Sequence, residues 1–454
     1  MTVFRGWTLT EEGIAPRQVT VREGVISAIA PYDALAGHEP GGEVITLTDD
    51  EVLLPGLVDT HVHINEPGRT EWEGFATATT AAAAGGVTTV LDMPLNSIPA
   101  TTSVEALNIK RVAADGQARI DLGFWAGAVP ESLGHLAELH AAGVFGFKCF
   151  LLDSGVPEFP PLSADQLRQA MAEVAAFDGL LIVHAEDPAV IEANHRAHTV
   201  HYREFLDSRP PAAENTAIET VIAAARETGC RAHIVHLSSA EAVPALTAAR
   251  ADGVRISVET CPHYLTLQAE DIADGQTQFK CCPPVRDAAN RDQLWRALAD
   301  GVIDFVVSDH SPSTIALKRL DEGDFGTAWG GISSLQLGLS LMWTEARERN
   351  HSLDEVVSWM AARPAQIVGV AGKGSIAVGH RADFAVFAPD ESYTVDAAAL
   401  HHRNAVTPYH GRTLTGAVRA TYLGGERVQI DGPPRGTLLT RDADRSPVQD
   451  RPGH

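Results

Sequence analysis

Two histidines with one residue between them stand at the end of an apolar, β-branched segment near the start of the chain. They are His61 and His63, and the apolar residues of 53–58 precede them. In an extended strand, side chains two residues apart point to the same side, and imidazole is the commonest metal ligand in proteins. This spacing also occurs at ordinary core and surface positions, so the pair indicates a metal site only if further ligands converge on it.

A lysine lies in the middle of another apolar segment. Lys148 stands between Phe147 and Cys149, where burying an ammonium group costs free energy. One interpretation is a lysine that pairs with a carboxylate or extends its head group to water. The other is that burial lowers its pKa until the neutral amine can react. With carbon dioxide such an amine gives a carbamate, whose two oxygens could bridge two divalent metal ions.

Three further polar residues each follow a short apolar run, namely His184, His236 and Asp309. For any one of them, a hydrogen-bonded position in the core is the commoner outcome. Taken together, four histidines, a lysine and an aspartate mark the ends of five apolar segments. Chance does not explain this pattern if the fold brings those segment ends to one place.

The elements that carry these residues alternate along the chain. We predict strands at 53–63, 87–93, 119–126, 143–151, 180–186, 232–238, 256–261 and 305–310. We predict helices most clearly at 163–177, 214–229, 239–253 and 290–301, and a helix end at 81–84 closed by two glycines. Apolar strands separated by helices are typical of a parallel sheet covered on both faces. We therefore predict an α/β fold, a TIM-like (β/α)8 barrel, whose active site forms at the carboxyl ends of its strands.

Both ends of the chain show a different pattern, with short alternating segments and glycine turns at 3–48 and again after residue 374. Such segments indicate antiparallel strands. We predict a small composite β-sandwich domain formed from 1–50 and 374–454, with the barrel at 51–373. The polar, proline-rich residues after 440 are expected to form a frayed tail.

Composition narrows the class of protein. The chain has 454 residues, with 59 acidic against 35 basic side chains and a net charge of −24. An acidic surface repels phosphate backbones and anionic lipids, so we expect no nucleic-acid or membrane partner. No segment has the composition of a membrane span or a signal peptide, which favours the cytoplasm. Five cysteines without a C-x-x-C pair indicate free, mostly buried thiols.

The combination of an H-x-H pair with a strand-end lysine, two further histidines and an aspartate resembles the binuclear amidohydrolase superfamily. The stretch PGLVDTHVH also resembles the opening motif of that superfamily, and the likeness covers nearly the whole chain. The resemblance implies a barrel that holds two divalent metal ions. The implied ligands are His61, His63, Lys148, His184, His236 and Asp309.

The resemblance also implies a role for each ligand. The two strand-1 histidines and Asp309 would hold the more buried ion, and the histidines of strands 5 and 6 would hold the second. Lys148, as N6-carboxylysine formed with carbon dioxide, would bridge the two. A hydroxide between the ions would attack the substrate carbonyl while Asp309 moves the proton. Zinc is our first choice of metal, and iron, cobalt and manganese suit the same donors.

Within the superfamily, the sequence is similar to the allantoinase family of cyclic amidohydrolases. The stretches that carry this likeness are GVFGFKCFL, VETCPHYL, CCPPVRD, VSDHSPS, AWGGI and the long segment 63–102. This likeness implies hydrolytic ring opening of allantoin to allantoate in purine breakdown, by a homotetramer. Many members have a cysteine where this chain has Ser313, a difference that we do not expect to alter the chemistry.

Three alternatives are weighed against this interpretation. Dihydroorotases usually carry an arginine just after H-x-H, which pairs with the substrate carboxylate, and Asn65 stands there instead. Hydantoinases and dihydropyrimidinases usually have a tyrosine shortly after the bridging lysine, whereas 149–153 contains none. Dihydropyrimidinase-like scaffold proteins have lost metal ligands, and this chain keeps all six.

Substrate contacts are expected on three loops. Asn96 follows strand 2, and its amide could bond the ring or the ureido group, although an asparagine that makes a local turn is an equal alternative. By resemblance, the backbone at Cys282 and at Gly330, with Gly331, reads the ring amide. His263 could line the mouth of the barrel, but we favour a packed structural histidine.

Overall fold

The computed structural model describes residues 1–33 and 42–441. In chain order its strands are β1 (Thr2–Thr10), β2 (Gly13–Arg22), β3 (Val25–Pro31), β4 (Glu43–Thr46), β5 (Val52–Pro55), β6 (Leu57–Val62), β7 (Val87–Asp92), β8 (Asp121–Phe124), β9 (Ala126–Gly127), β10 (Phe147–Phe150), β11 (Leu180–His184), β12 (Arg231–Ile234), β13 (Ile256–Thr260), β14 (Phe305–Val306), β15 (Phe384–Thr394), β16 (Thr413–Leu423) and β17 (Glu426–Arg427).

The helices lie mostly between the central strands. They are α1 (Phe75–Ala84), α2 (Val104–Ala114), α3 (Leu136–Ala141), α4 (Ala164–Ala175), α5 (Pro188–Asn194), α6 (Tyr202–Ser208), α7 (Pro211–Thr228), α8 (Val243–Ala251), α9 (Pro262–Thr266), α10 (Ala288–Ala299), α11 (Gly338–Glu348), α12 (Leu353–Val357) and α13 (Arg363–Val368), with a π-helical stretch at Ser358–Ala362. Short 3-10 helices span Pro130–Ser132, Ala240–Ala242, Ala269–Asp271, Thr277–Phe279, Ile315–Lys318, Leu335–Leu337 and Ala397–Ala399.

Strands β6 to β14 form the predicted barrel of eight parallel strands, in which β8 and β9 are two parts of the third. The barrel closes between its first and last strands, where the His63 N–H donates to the His310 carbonyl over 2.9 Å. The strands are buried on both faces, which explains their continuous apolar runs. The prediction of a (β/α)8 barrel is confirmed.

Local signals in the sequence mark the helix boundaries. Helix α1 ends where predicted, with Gly85 after its last residue and Gly86 at a φ of +81°, a conformation that glycine adopts without strain. Helix α4 begins after Ser163, whose hydroxyl accepts from the Gln166 N–H, as a capping residue does. Such caps place each helix so that the next strand returns into the barrel.

The predicted strand at 53–63 is wrong as one element. It is divided at Gly56 into β5, which pairs with β1 and β15, and β6, which belongs to the barrel. A β-carbon at Gly56 would lie 2.1 Å from the Thr88 hydroxyl, so only glycine permits this close approach. An apolar run cannot reveal such a change of sheet, because both halves are equally buried.

The small β domain is built from both ends of the chain, as predicted. Its strands form one mixed sheet in the order β17-β16-β15-β5-β1-β2-β3, with β4 paired to β1. Its core is mostly aliphatic, and within it Phe4 packs edge-on against Phe384 and Tyr422. The predicted frayed tail lies at 442–454, outside the described residues.

Candidate metal centre

The barrel mouth contains a cavity of about 260 Å³. Five of the six predicted metal ligands lie in its wall, and the sixth, His61, is fully buried beside them. His61 lies in the last part of β6, and His63 follows that strand directly. Lys148 lies inside β10, His184 ends β11, and His236 and Asp309 stand shortly after the ends of β12 and β14. The tertiary structure therefore brings all six predicted residues together.

The donor atoms of these residues point toward one another. Asp309 Oδ1 lies 3.2 Å from His61 Nε2 and 3.5 Å from His63 Nε2. Lys148 Nζ lies 3.0 Å from His61 Nε2. The ring centroids of His184 and His236 are 4.5 Å apart. Nitrogen and oxygen donors therefore converge from five different strands.

Three residues of the centre have positive φ angles, which are uncommon outside glycine. The values are 68° for Asn96, 39° for His236 and 43° for Asp309. Backbone strain of this kind costs about 1–3 kcal/mol per residue and persists where the surroundings enforce it. The barrel therefore holds these side chains toward the cavity although their backbone conformations are strained.

Buried Glu259 fixes the orientation of His61. Its carboxylate bonds His61 Nδ1 and also lies 3.0 Å from His233 Nε2. Burial alone raises the pKa of Glu259, but His61 and His233 outweigh it and lower the pKa to about 2. An ionised acceptor on Nδ1 keeps the proton there and leaves the Nε2 lone pair free for a metal.

A second buried carboxylate supports His184 in the same way. Glu186 Oε2 lies 2.8 Å from His184 Nε2 and accepts from Arg209 Nη1 over 2.5 Å. Phe150 stacks on the His184 ring with centroids 4.5 Å apart. Because Glu186 occupies Nε2, Nδ1 is the nitrogen whose lone pair His184 can offer to a metal. Burial raises the pKa of Glu186, but Arg209 and His184 lower it to about 2.

Burial also sets the protonation of the ligands themselves. It lowers the pKa of His63 to about 3 and that of His236 well below its usual range, so both imidazoles are neutral at neutral pH. Burial raises the pKa of Asp309, but the adjacent His61 and His63 hold it well below its ordinary value. Burial lowers the pKa of Lys148 to about 8, which makes the reactive neutral amine accessible.

These residues fit a divalent metal centre. The ligand atoms of His61, His63 and Asp309 all lie within 4.8 Å of one another. His236 Nδ1 is buried without a hydrogen-bond partner among the described residues. Neutral imidazoles and an ionised carboxylate are the donors that zinc and other first-row divalent ions prefer.

The residues predicted to contact substrate lie beside this donor set. Asn96 lines the cavity, and its Nδ2 is 3.4 Å from His63 Nδ1. Cys282, Gly330 and Gly331 also line the wall. His263 is fully buried behind Asp309, and neither of its ring nitrogens has a partner among the described residues.

Sequence reasoning missed the residues that hold the ligands in place. Glu259 stands in the last part of β13, and Glu186 stands two residues beyond His184. A signal was present, because a carboxylate inside an apolar strand end needs a buried partner. The identity of that partner depends on the neighbouring strand, which the sequence does not show. Arg209 gave no signal of this kind.

Comparison with known proteins agrees with the geometry. The sequence profile of the amidohydrolase family matches residues 52–428. The chain belongs to the amidohydrolase family. This amidohydrolase is 57% identical over 437 residues to the allantoinase of Streptomyces avermitilis, an alignment that covers 96% of this chain and 97% of the relative. It is 48% identical over 382 residues to the allantoinase of Saccharomyces cerevisiae, covering 83% and 82% of the two chains.

Solved structures place the amidohydrolase near a related branch. The L-hydantoinase (dihydropyrimidinase) of Arthrobacter aurescens matches with a TM-score of 0.90 at 28% identity, covering 97% of this chain and 99% of that one.

In the part of the chain that the structure describes, every helix is too short or too polar to cross a membrane. The five cysteines are all free, and four of them are buried.

Proposed function

We propose that this amidohydrolase is an allantoinase, which opens the ring of allantoin by hydrolysis to give allantoate in purine breakdown. The observation that carries the proposal is the convergence of four histidines, a lysine and an ionised aspartate at one cavity. The allantoinase relatives, at up to 57% identity over most of the chain, support the choice of substrate. A cyclic amide is stable in water, so its hydrolysis needs an activated nucleophile and a polarised carbonyl.

Two divalent ions would be held by the six ligands. His61, His63 and Asp309 provide one set of donors, and His184 with His236 provides a second. Lys148, carboxylated by carbon dioxide, would contribute oxygens to both sets. When bound, such ions lower the pKa of water and polarise the substrate carbonyl. Zinc is the first choice, because imidazole and carboxylate are its common ligands.

Asp309 has the position to move the proton. In the reaction, water adds to the ring amide carbonyl and loses a proton, the carbon–nitrogen bond breaks, and the departing nitrogen gains a proton. Asp309 lies in the cavity wall and is ionised before the reaction. It can therefore accept the first proton and return it to the nitrogen, as a general base and then a general acid.

The remaining wall residues would orient the ring. Asn96 lies next to His63, and Cys282 and Gly330 face the same cavity. Their amide groups can hydrogen-bond the ring carbonyl and N–H groups, so that the scissile carbonyl is directed to the ligand set. The cavity of about 260 Å³ suits a small heterocycle rather than a peptide.

Ring opening by purified, metal-loaded protein tests the proposal. Allantoate release is measured beside dihydroorotate and hydantoin at equal concentrations. We expect kcat/KM for allantoin to exceed both others. If the protein turned over dihydroorotate or hydantoin but not allantoin, the proposed substrate would be wrong. The assignment as a cyclic amide hydrolase would still hold.

The presence of the metal ions and the lysine modification are tested separately. We expect two equivalents of zinc per chain by elemental analysis and a mass increase corresponding to one carbon dioxide on Lys148. We further propose a cytoplasmic homotetramer. Light scattering of the purified protein measures its oligomeric state, and a monomer would contradict the proposed homotetramer.

A further inference from the structure

The cavity wall contains one carboxylate outside the six metal ligands, on the loop that follows β10. Asp153 lines the cavity and is exposed, whereas the ligands are buried. It therefore marks the solvent side of the cavity and the ligands mark its floor. A substrate whose amide carbonyl meets the ligands directs its outward substituent toward this rim.

Other charged residues in the wall are already engaged. Arg209 Nη1 donates to Glu186 over 2.5 Å. Lys280 Nζ donates to the carbonyls of Ala328 and Gly326 over 2.6 and 3.3 Å. Within residues 1–33 and 42–441, the Asp153 carboxylate accepts one hydrogen bond, from the nearby Gly155 N–H over 3.0 Å. Its second oxygen is available to a ligand.

The loop that carries Asp153 is held against the opposite rim. Gly155 has a φ of +84°, and a β-carbon there would lie 3.4 Å from the Trp329 ring. Trp329 lines the cavity and packs edge-on against Trp72 with centroids 4.9 Å apart. Within the loop, Ser154 Oγ donates to the Phe159 carbonyl over 2.7 Å. The Asp153 carboxylate therefore lies on a hydrogen-bonded turn that faces Trp329 across the cavity.

On the basis of the proposed function, we propose that Asp153 is a specificity-determining residue that recognises the exocyclic ureido group of the substrate. A ureido group carries three N–H donors, and its adjacent N–H and terminal NH₂ match the two oxygens of a carboxylate. The same negative charge repels a ring substituent that is itself a carboxylate, as in dihydroorotate. Asp153 thus favours a ureide and disfavours an acid at one position.

Kinetics of metal-loaded Asp153→Asn test this assignment, with Asp165→Asn as the matched control. Asp165 undergoes the same chemical change but lies outside the cavity on α4, with 90% of its side chain exposed. We expect Asp153→Asn to lower kcat/KM for allantoin by about 10- to 100-fold, mainly through KM, because a hydrogen bond to a charge is lost. The control should match the wild type.

Two competitive inhibitors separate ureido recognition from general damage. Hydantoin has the ring without the ureido group, so its inhibition constant should not change in Asp153→Asn. Dihydroorotate should inhibit the variant more strongly than the wild type. The inference would be overturned if kcat/KM for allantoin and the affinity for hydantoin fell by equal factors, or if KM for allantoin did not change. Either result would leave the proposed function standing. A wild type without allantoin turnover would overturn the proposed function itself.

Discussion

Asp309 is placed to serve two purposes in the proposed metal centre. It lies within hydrogen-bond distance of His61 Nε2 and 3.5 Å from His63 Nε2, yet it also faces the cavity. Its position beside the two histidines suits a metal ligand. Its exposure to the cavity suits a group that transfers a proton. Its low pKa, which the neighbouring histidines maintain against burial, supports both purposes.

Asp309→Asn should therefore lose most of its activity. Asparagine keeps the shape and one oxygen donor but cannot accept the proton. We expect kcat to fall by ~10²- to 10⁴-fold, the usual contribution of general acid–base catalysis. Metal content by elemental analysis is measured on the same sample. A variant that retains its metal and nearly normal kcat would contradict the assigned proton transfer.

Glu259→Gln should weaken metal binding without affecting the fold. The amide can still contact His61 Nδ1, but the charge that orders the imidazole is lost. Such supporting partners typically contribute 10- to 100-fold in metal affinity, and we expect a loss of about that size in competition with a chelator. Glu219→Gln, at an exposed position of α7, is the control. Equal affinity in both variants would be evidence against this role.

At the scale of elements, two buried lysines hold the segment after β14 in place. Lys318 is 2% exposed, and its ammonium group donates to the carbonyls of Trp329 and Gly331. Lys280 holds two further carbonyls of the same loop. These bonds position the segment that carries Gly330 against the cavity.

Lys318→Met should show a stability deficit that depends on pH. Burial lowers the pKa of Lys318 from 10.5 to about 7, so between these values the unfolded chain binds more protons at this residue than the folded protein. Raising the pH from 7 to 9 therefore stabilises the wild type through Lys318, by up to ~2 kcal/mol. The free-energy gap between wild type and variant should widen over that range in urea unfolding. A constant or narrowing gap would contradict a lowered pKa for Lys318 in the folded protein.

At the scale of the whole molecule, one buried ion cluster joins the barrel to the small domain. Lys373 Nζ lies 2.6 Å from Asp121 Oδ2 on β8 and also bonds Asp383, next to β15. The Asp121 carboxylate further accepts from Thr437 near the end of the described chain. The cluster thus connects β8 of the barrel with 373–383 and with Thr437.

Lys373→Met should destabilise the protein but spare the chemistry. Removing the cation leaves two buried carboxylates without their partner, a change that costs about 3–5 kcal/mol. Chemical unfolding measures the loss, and kcat of the folded, metal-loaded variant measures the site. A triple variant that also carries Asp121→Asn and Asp383→Asn should recover part of the stability. Unchanged stability in Lys373→Met would show that the cluster is not a junction.

The sequence by itself determined the identity and order of the elements. The apolar runs located all eight barrel strands, although those predicted at 143–151, 232–238 and 305–310 extend several residues beyond the strands of the structure. The H-x-H pair with Lys148 and Asp309 indicated which strands could carry chemistry. These features are local, because burial on both faces and a strand-end position leave a pattern in consecutive residues. Glycine and serine signals fixed helix ends for the same reason.

Only the tertiary structure decided which groups meet. The division of 53–63 between two sheets, the carboxylates behind His61 and His184, and the position of Asp153 on the cavity rim all depend on residues distant in the chain. A carboxylate in an apolar segment indicates that a hydrogen-bonding or charged partner must lie nearby, but sequence spacing does not identify that partner. Closure of the barrel brings the partners together, and with them the geometry and protonation of the metal centre.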